Sequence, residues 1–174
     1  MPAVRPIPTQ QEKVLNDEDF IVSKTDLRGI ITYGNRVFIG ISGYEESELL
    51  GAPHNILRHP DMPRAVFKLL WDTIQDGREI NAYVKNLARD GSFYWVFANI
   101  TPSFDERGAL SGYYSVRRKP KATAVQAFTG IYRAMLEVER RAGGGQEGMK
   151  ASRALLDQTL QEKGVGYDEF VLGV

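Results

Sequence analysis

An α+β fold is what the order of patterns along this chain predicts, and three observations carry that reading. Two short strand-like segments come first, at Phe20–Ser23 and Ile30–Tyr33. A stretch with apolar residues at 3.6-residue spacing, Met62–Asp76, stands in the middle. Three aromatic or β-branched segments separated by turn residues follow, at Ile80–Leu87, Phe93–Thr101 and Leu110–Arg117. Two strands, several helices and a meander make a domain over residues 19–120, with an arm or cap at 1–18 and a helical hairpin at 121–174.

Each element has a local cause. Lys24-Thr25-Asp26-Leu27-Arg28-Gly29 reads as a tight turn, so the first two strands form a hairpin. Asn35 is placed to cap a helix over Arg36–Ser42 that Gly43 ends. A second short helix is expected near Glu45–Leu50, closed by Gly51. The longer helix starts at Pro63, carries Val66, Phe67, Leu70, Trp71 and Ile74 on one face, and stops at Gly77. Asp90-Gly91 is a strong hairpin signal, Pro102 is expected to close the next strand, and Asp105-Glu106-Arg107-Gly108 makes the last turn.

After residue 120 the pattern changes. Thr123–Arg141 carries a helical stripe of Val125, Phe128, Ile131, Tyr132, Met135, Leu136 and Val138. Gly143-Gly144-Gly145 breaks it, and Met149–Glu162 is a second helix candidate. The tail folds back through Tyr167, Phe170, Val171 and Leu172. These stripes need a cover: the sheet, a second copy or a partner.

Composition excludes several classes. The chain has 174 residues, 43% hydrophobic and 25% charged, which suits a globular protein. Lys plus Arg equals Asp plus Glu at 22 each, so no charge excess points to nucleic acid or a membrane surface. No apolar run approaches a membrane span, and Met1–Asp19 lacks the apolar core of a signal peptide, so a cytoplasmic location is expected. There is no cysteine, which rules out disulfides, thiolate zinc sites, Cys-x-x-Cys-His haem attachment and a cysteinyl–flavin adduct. No phosphate-binding loop or other enzyme signature is present, and the chain is not expected to be an enzyme.

The densest stretch is Pro53–Pro63, which holds both histidines and three of the eight prolines. Pro53, Pro60 and Pro63 fix φ and remove amide donors, so regular helix or strand pairing is awkward. Two readings stand side by side: a stiff loop that caps the next helix, and one wall of a ligand pocket that aims His54, Arg58, His59 and Asp61 at its contents.

The chain resembles PAS domains, and among them the redox-sensing domain of bacterial aerotaxis receptors, over about residues 19–120. The matching stretches are Thr25-Asp26-Leu27, Ile31-Thr32-Tyr33-Gly34-Asn35, Ser42-Gly43-Tyr44, Gly51-Ala52-Pro53-His54-Asn55 and Arg58-His59-Pro60-Asp61-Met62-Pro63. Val84-Lys85-Asn86, Asp90-Gly91, Tyr94-Trp95-Val96, Ala98-Asn99 and Gly112-Tyr113 continue the match. The Arg-His-Pro-Asp-Met-Pro run is the specific element.

The resemblance implies a five-stranded antiparallel sheet with short helices on one side and a non-covalent FAD held between them. It also implies a redox or oxygen signal passed to a chemotaxis receptor or kinase complex, with a homodimer as the expected state. Carried over by position, Asn35, Arg58, His59, Asp61, Trp71, Asn86 and Tyr94 become the flavin-pocket candidates. The sequence departs from the family where a Gly-x-x-Trp-x-Gly pattern is expected: Ile80 replaces the tryptophan and Ala82 the second glycine. Two other readings stay open at this point. One is haem b with His54 or His59 as axial ligand, and the other is a cofactor-free protein-interaction or dimerisation module.

Overall fold

The computed structural model describes residues 5–174, so the first four residues of the arm expected at 1–18 lie outside the described residues. Five strands form one antiparallel sheet: β1 (Phe20–Thr25), β2 (Ile31–Gly34), β3 (Ile80–Leu87), β4 (Phe93–Phe104) and β5 (Leu110–Arg118), in the order β2-β1-β5-β4-β3. Between β2 and β3 lie α1 (Arg36–Ser42), α2 (Glu46–Leu49), a 3₁₀ turn at His54–Leu57 and α3 (Arg64–Gln75). After β5 come α4 (Ala122–Arg141), α5 (Gly145–Lys163) and α6 (Tyr167–Gly173).

The local signals act where the sequence places them. Asn35 accepts from the Phe38 amide at 3.1 Å as the cap of α1, and Gly43 ends that helix in the left-handed conformation. Asn35 also accepts from the Val22 amide and donates to the Phe20 carbonyl, so one side chain ties α1 to β1.

Two elements differ from expectation. Strand β4 does not stop at Pro102 but runs on to Phe104, with Pro102 opposite Tyr113 of β5. Pairing of β4 with β3 ends at Ile100. Beyond that point β4 is an edge on the β3 side, where a residue without N–H costs no ladder bond. Helix α5 starts at Gly145, earlier than Met149, because three successive glycines at positive φ, Gly143, Gly144 and Gly145, complete the turn within the break itself. A Cβ on Gly148 would sit 2.8 Å from the Glu139 carbonyl oxygen, so this glycine lets α5 approach α4 closely.

The two sheet faces are covered differently. On the outer face Tyr83 and Phe97 pack with centroids 4.9 Å apart, and Phe128 of α4 lies 4.7 Å from Tyr83. Tyr132 stacks on Trp95 and donates its hydroxyl to the Tyr83 carbonyl at 2.6 Å. Phe170 of α6 packs on Phe128. The sheet therefore takes the apolar stripe of α4. The inner face is roofed by α1, α3 and the proline-rich segment. The N-terminal arm runs along the β3–β4 turn, where Thr9 donates to Gly91, Lys13 donates to the Phe93 carbonyl, and the Phe93 amide donates back to Gln11.

Candidate functional site

The proline-rich segment spans the inner face from one side of the sheet to the other. Pro53 is bridged to Ile30 beside the β1–β2 turn, and Arg58 is bridged to Asn86 on β3. Prolines leave this stretch short of amides for a ladder, so it touches the sheet only at isolated points. Beneath it the inner-face residues are small or spaced apart, and a cavity of about 370 Å³ remains.

Its walls are mostly apolar. Val84, Ala98 and Ile100 of the sheet face Phe67, Leu70, Trp71 and Ile74 of α3. Trp71 meets Tyr113 edge to face, with centroids 5.6 Å apart. Gly29, at φ 78°, makes room for the indole: a Cβ there would lie 2.8 Å from its ring carbons. An apolar slot with an aromatic rim and a few placed polar groups is the general form of a cofactor site.

The polar groups are unusual in sign. Arg28, Arg58 and Arg117 line the cavity together with Ser23, Thr25, His54, Asn55, Asn86 and Ser115, and no carboxylate lines it among the described residues. Arg58 lies over the Phe67 ring at 3.8 Å, and its Nε is buried without a partner. Burial, with Arg5 and Arg64 nearby, lowers its pKa. Arg117 is 2% exposed. It donates to Ser23 Oγ, shares a 3.3 Å contact with His54 Nε2, and leaves its own Nε unpaired. Desolvation lowers its pKa to about 10. The His54 ring is enclosed beside that charge, which holds its pKa down to about 3. Since a guanidinium has only donors, Nε2 of the neutral His54 is the acceptor.

Of the seven residues expected at the site, the structure brings Arg58, Trp71 and Asn86 to the cavity. Asn35 is spent on capping α1 and stapling it to β1. His59 turns to the far side of the segment, edge-on to Phe93, and its Nδ1 accepts from the Asp61 amide at 3.0 Å. Its pKa falls to about 4, from burial and the neighbouring Lys85 charge. Asp61 is exposed and pairs with Lys85 at 2.7 Å, which clamps the segment to β3. Tyr94 is fully buried opposite Asn86, outside the cavity lining, with its hydroxyl unpaired. Ile80 and Ala82, where the sequence departs from the aerotaxis pattern, are buried in the core and do not line the cavity.

For a haem ligand the geometry is poor on both histidines. His54 Nε2 is taken by Arg117 and Ser23, and His59 points away from the cavity. No group of three or more metal-ligating side chains clusters among the described residues.

Sequence reasoning missed Ser23, Tyr113, Ser115 and Arg117 as lining residues. Alternation along β5 puts Tyr113, Ser115 and Arg117 on one face, which was a usable signal. Which face turned inward depended on pairing with β1 and β4.

Comparison with known proteins follows the same geometry. The pattern of the PAS fold matches residues 31–117. Over 130 residues the chain is 42% identical to the aerotaxis receptor of Escherichia coli (strain K12), covering 75% of this chain and 26% of the receptor. It is 33% identical over 97 residues to the nitrogen fixation regulatory protein of Klebsiella pneumoniae, covering 56% of this chain and 20% of that protein. The chain thus spans about a quarter or less of the length of these relatives. Among solved structures, a light-oxygen-voltage domain studied with a flavin analogue aligns with a TM-score of 0.56 at 23% identity, over 66% of this chain and 86% of that one. The PAS domain of a protein from Colwellia psychrerythraea aligns with a TM-score of 0.50 at 22% identity, over 58% and 86%. At these identities the structural likeness speaks to the fold.

Proposed function

The chain belongs to the PAS-fold family, and from that premise we propose that it is a sensory module that binds FAD non-covalently and reports redox or oxygen status to a chemotaxis signalling partner. The observation that carries this reading is the cavity: about 370 Å³, walled by Phe67, Trp71 and Tyr113, and bordered by buried guanidinium nitrogens that have no protein partner. Such a slot fits a planar, electron-poor ring with acceptor atoms on its edge. The 42% identity to an aerotaxis receptor supports the signalling context.

When bound, the flavin ring would supply a redox couple whose charge and protonation change on reduction. Trp71 and Tyr113 would form the aromatic wall. Arg28, at the exposed rim, would meet the phosphates. Asn86 carries both a donor and an acceptor, so its amide can rotate to answer an edge nitrogen that gains a proton. Asn86 is bridged through its backbone to Arg58, and it sits on the same strand as Tyr83, whose carbonyl receives the Tyr132 hydroxyl of α4. A shift of β3 would thus reach the C-terminal helices in one step, and those helices would present the change to a partner or a second copy.

The test is absorption of the purified chain, as isolated and after refolding with FAD. Paired bands in the blue and near ultraviolet are expected. A colourless protein after FAD-supplied refolding refutes the reading. Asn86→Ala should lower flavin affinity about tenfold or more, the size expected when a polar partner of a bound ring is removed. Unchanged affinity and an unchanged partner response to reduction would remove Asn86 from the switch.

A further inference from the structure

Helix α3 presents Phe67, Leu70, Trp71 and Ile74 to the cavity, yet its own sequence leaves its first turn unfinished. The capping position is Pro63, which has no side-chain acceptor, and no acidic residue lies in the first turn. Arg64 stands there instead, a positive charge at the positive end of the helix. The missing acceptor comes from α4, where the Glu139 carboxylate accepts from the Ala65 amide at 3.2 Å. Phe67, the first wall residue of α3, follows in the same turn.

Glu139 is tied to the C-terminal hairpin by its backbone. Its carbonyl accepts from the Gly144 amide at 2.8 Å, in the turn that leads α4 into α5. Gly148 of α5 comes so near that carbonyl that a Cβ would stand 2.8 Å from its oxygen. Helix α5 also packs against α3. Glu139 is 7% exposed, and its charge is within electrostatic reach of Arg58, which lines the cavity. One buried residue thus holds the wall helix by its side chain and the hairpin turn by its main chain. A carboxylate bonded to an amide is a strong, directional contact, so displacement of either helix strains it. Both α4 and α5 lie beyond residues 31–117, the stretch that matches the PAS fold, so the acceptor for α3 comes from outside the matched domain.

We propose that Glu139 is a positioning residue that couples the cavity to α5. A ligand that presses on Phe67 and Trp71 shifts α3, and the Ala65–Glu139 contact passes that shift to the hairpin turn. By linkage the effect runs both ways: the docking of α5 also sets how firmly α3 closes on the ligand. The inference names a route for the output of the flavin reading above and rests on that reading only for the identity of the ligand. The contact of β3 with Tyr132 ends on α4, whereas this one reaches α5.

The experiment uses the full chain and has two arms. In the first, amide hydrogen exchange of α5 is followed without and with saturating FAD. In the wild type FAD should slow exchange across residues 149–160 about fivefold or more, the lower end of ordinary coupling between sites. Glu139→Ala should still bind FAD and lose this response. Glu139→Gln, whose side-chain oxygen can accept from the same amide, should keep part of it, and Tyr132→Phe should keep it whole. A cap that served only the stability of α3 would leave the response of α5 in place. The second arm needs no ligand. With Trp95→Phe as background, Trp71 is the single tryptophan and reports the cavity wall. Glu139→Ala should move its emission to longer wavelength, as the wall loosens and water reaches the indole, and Glu139→Gln should restore it.

The proposal is overturned if FAD binds the wild type and leaves α5 exchange unchanged, a result that needs no variant. It is overturned as well if the response persists in Glu139→Ala, if Tyr132→Phe abolishes it, or if Trp71 emission is unmoved in a Glu139→Ala chain whose circular dichroism shows it folded. If FAD fails to bind the wild type, the flavin reading falls and Trp71 emission alone decides the role of Glu139. If FAD binds and α5 is indifferent to it, the flavin reading stands and this proposal falls.

Discussion

The two faces of the sheet are made from the same strands and end in opposite conditions. On the outer face, Tyr83, Trp95 and Phe97 meet Phe128 and Tyr132 ring to ring, and the Tyr132 hydroxyl finds a backbone carbonyl. On the inner face the side chains stop short of one another, a cavity remains, and Arg58 and Arg117 each keep a buried nitrogen without a partner. Helix α4 closes one interface with the protein's own atoms, whereas the other encloses a cavity. A closed interface supplies stability, and an open one carries function at some cost in stability.

The largest expected effect breaks the outer face. Phe128 is 1% exposed and touches the rings of Tyr83, Tyr132 and Phe170. Phe128→Ala should destabilise the fold by about 3–5 kcal/mol, the usual range for a buried phenylalanine, read from the urea midpoint. Flavin affinity of the folded fraction should change little. An affinity loss as steep as the stability loss would show that the two faces act as one unit.

A second prediction sharpens the account of the inner face. His54 has an ordinary pKa of 6.5 when unfolded and about 3 when folded. Above pH 6.5 neither state is charged and the histidine is indifferent. As pH falls below that value the unfolded chain takes up a proton that the folded one refuses, so stability is lost progressively towards pH 3. The limiting slope for one such group is about 1.4 kcal/mol per pH unit. His59, lowered to about 4, works in the same direction. His54→Asn should flatten the loss between about pH 6.5 and 5.3, where ordinary carboxylates are still almost wholly ionised. An unchanged slope would show that the His54 ring is more open to water than its place beside Arg117 implies.

The smallest effect sits at the joint between the faces. Glu139 of α4 accepts from the Ala65 amide, at 3.2 Å, in the first turn of α3. Helix α3 has no side-chain cap of its own, because its capping position is Pro63. A residue 74 positions away does that work. Glu139→Ala should cost about 1–2 kcal/mol, the range for a lost cap that also leaves a buried amide unpaired. It should also raise the flavin dissociation rate, since Phe67 and Trp71 ride on α3. A stability loss with no change in dissociation would confine Glu139 to holding the helix.

Much of the fold was legible because its causes are local. Asn35 and Gly43 delimit α1, Pro63 and Gly77 flank α3, and Asp90-Gly91 turns β3 into β4, each through backbone chemistry within a few residues. The early start of α5 follows from a turn completed within Gly143–Gly145, whereas at Pro102 the deciding fact was a neighbour, the absent strand beside β4. The site was less legible for the same reason. Arg58 and His59 are adjacent in sequence, yet one lines the cavity and the other faces Phe93 on the far side of the segment.

The amino-acid sequence by itself determined the element order, the helix ends, the turns, the absence of thiol chemistry and the presence of an unusually stiff segment at Pro53–Pro63. These follow from φ preferences, missing amide hydrogens and short-range hydrogen bonds. Only the tertiary structure decided which of that segment's residues face inward, that α4 covers the outer sheet, and that Arg117 comes to rest against His54, a residue 63 positions earlier. Those outcomes depend on strand register and on packing between distant elements. Alternation marks two faces on a strand, and only the partners it finds decide which of them is buried.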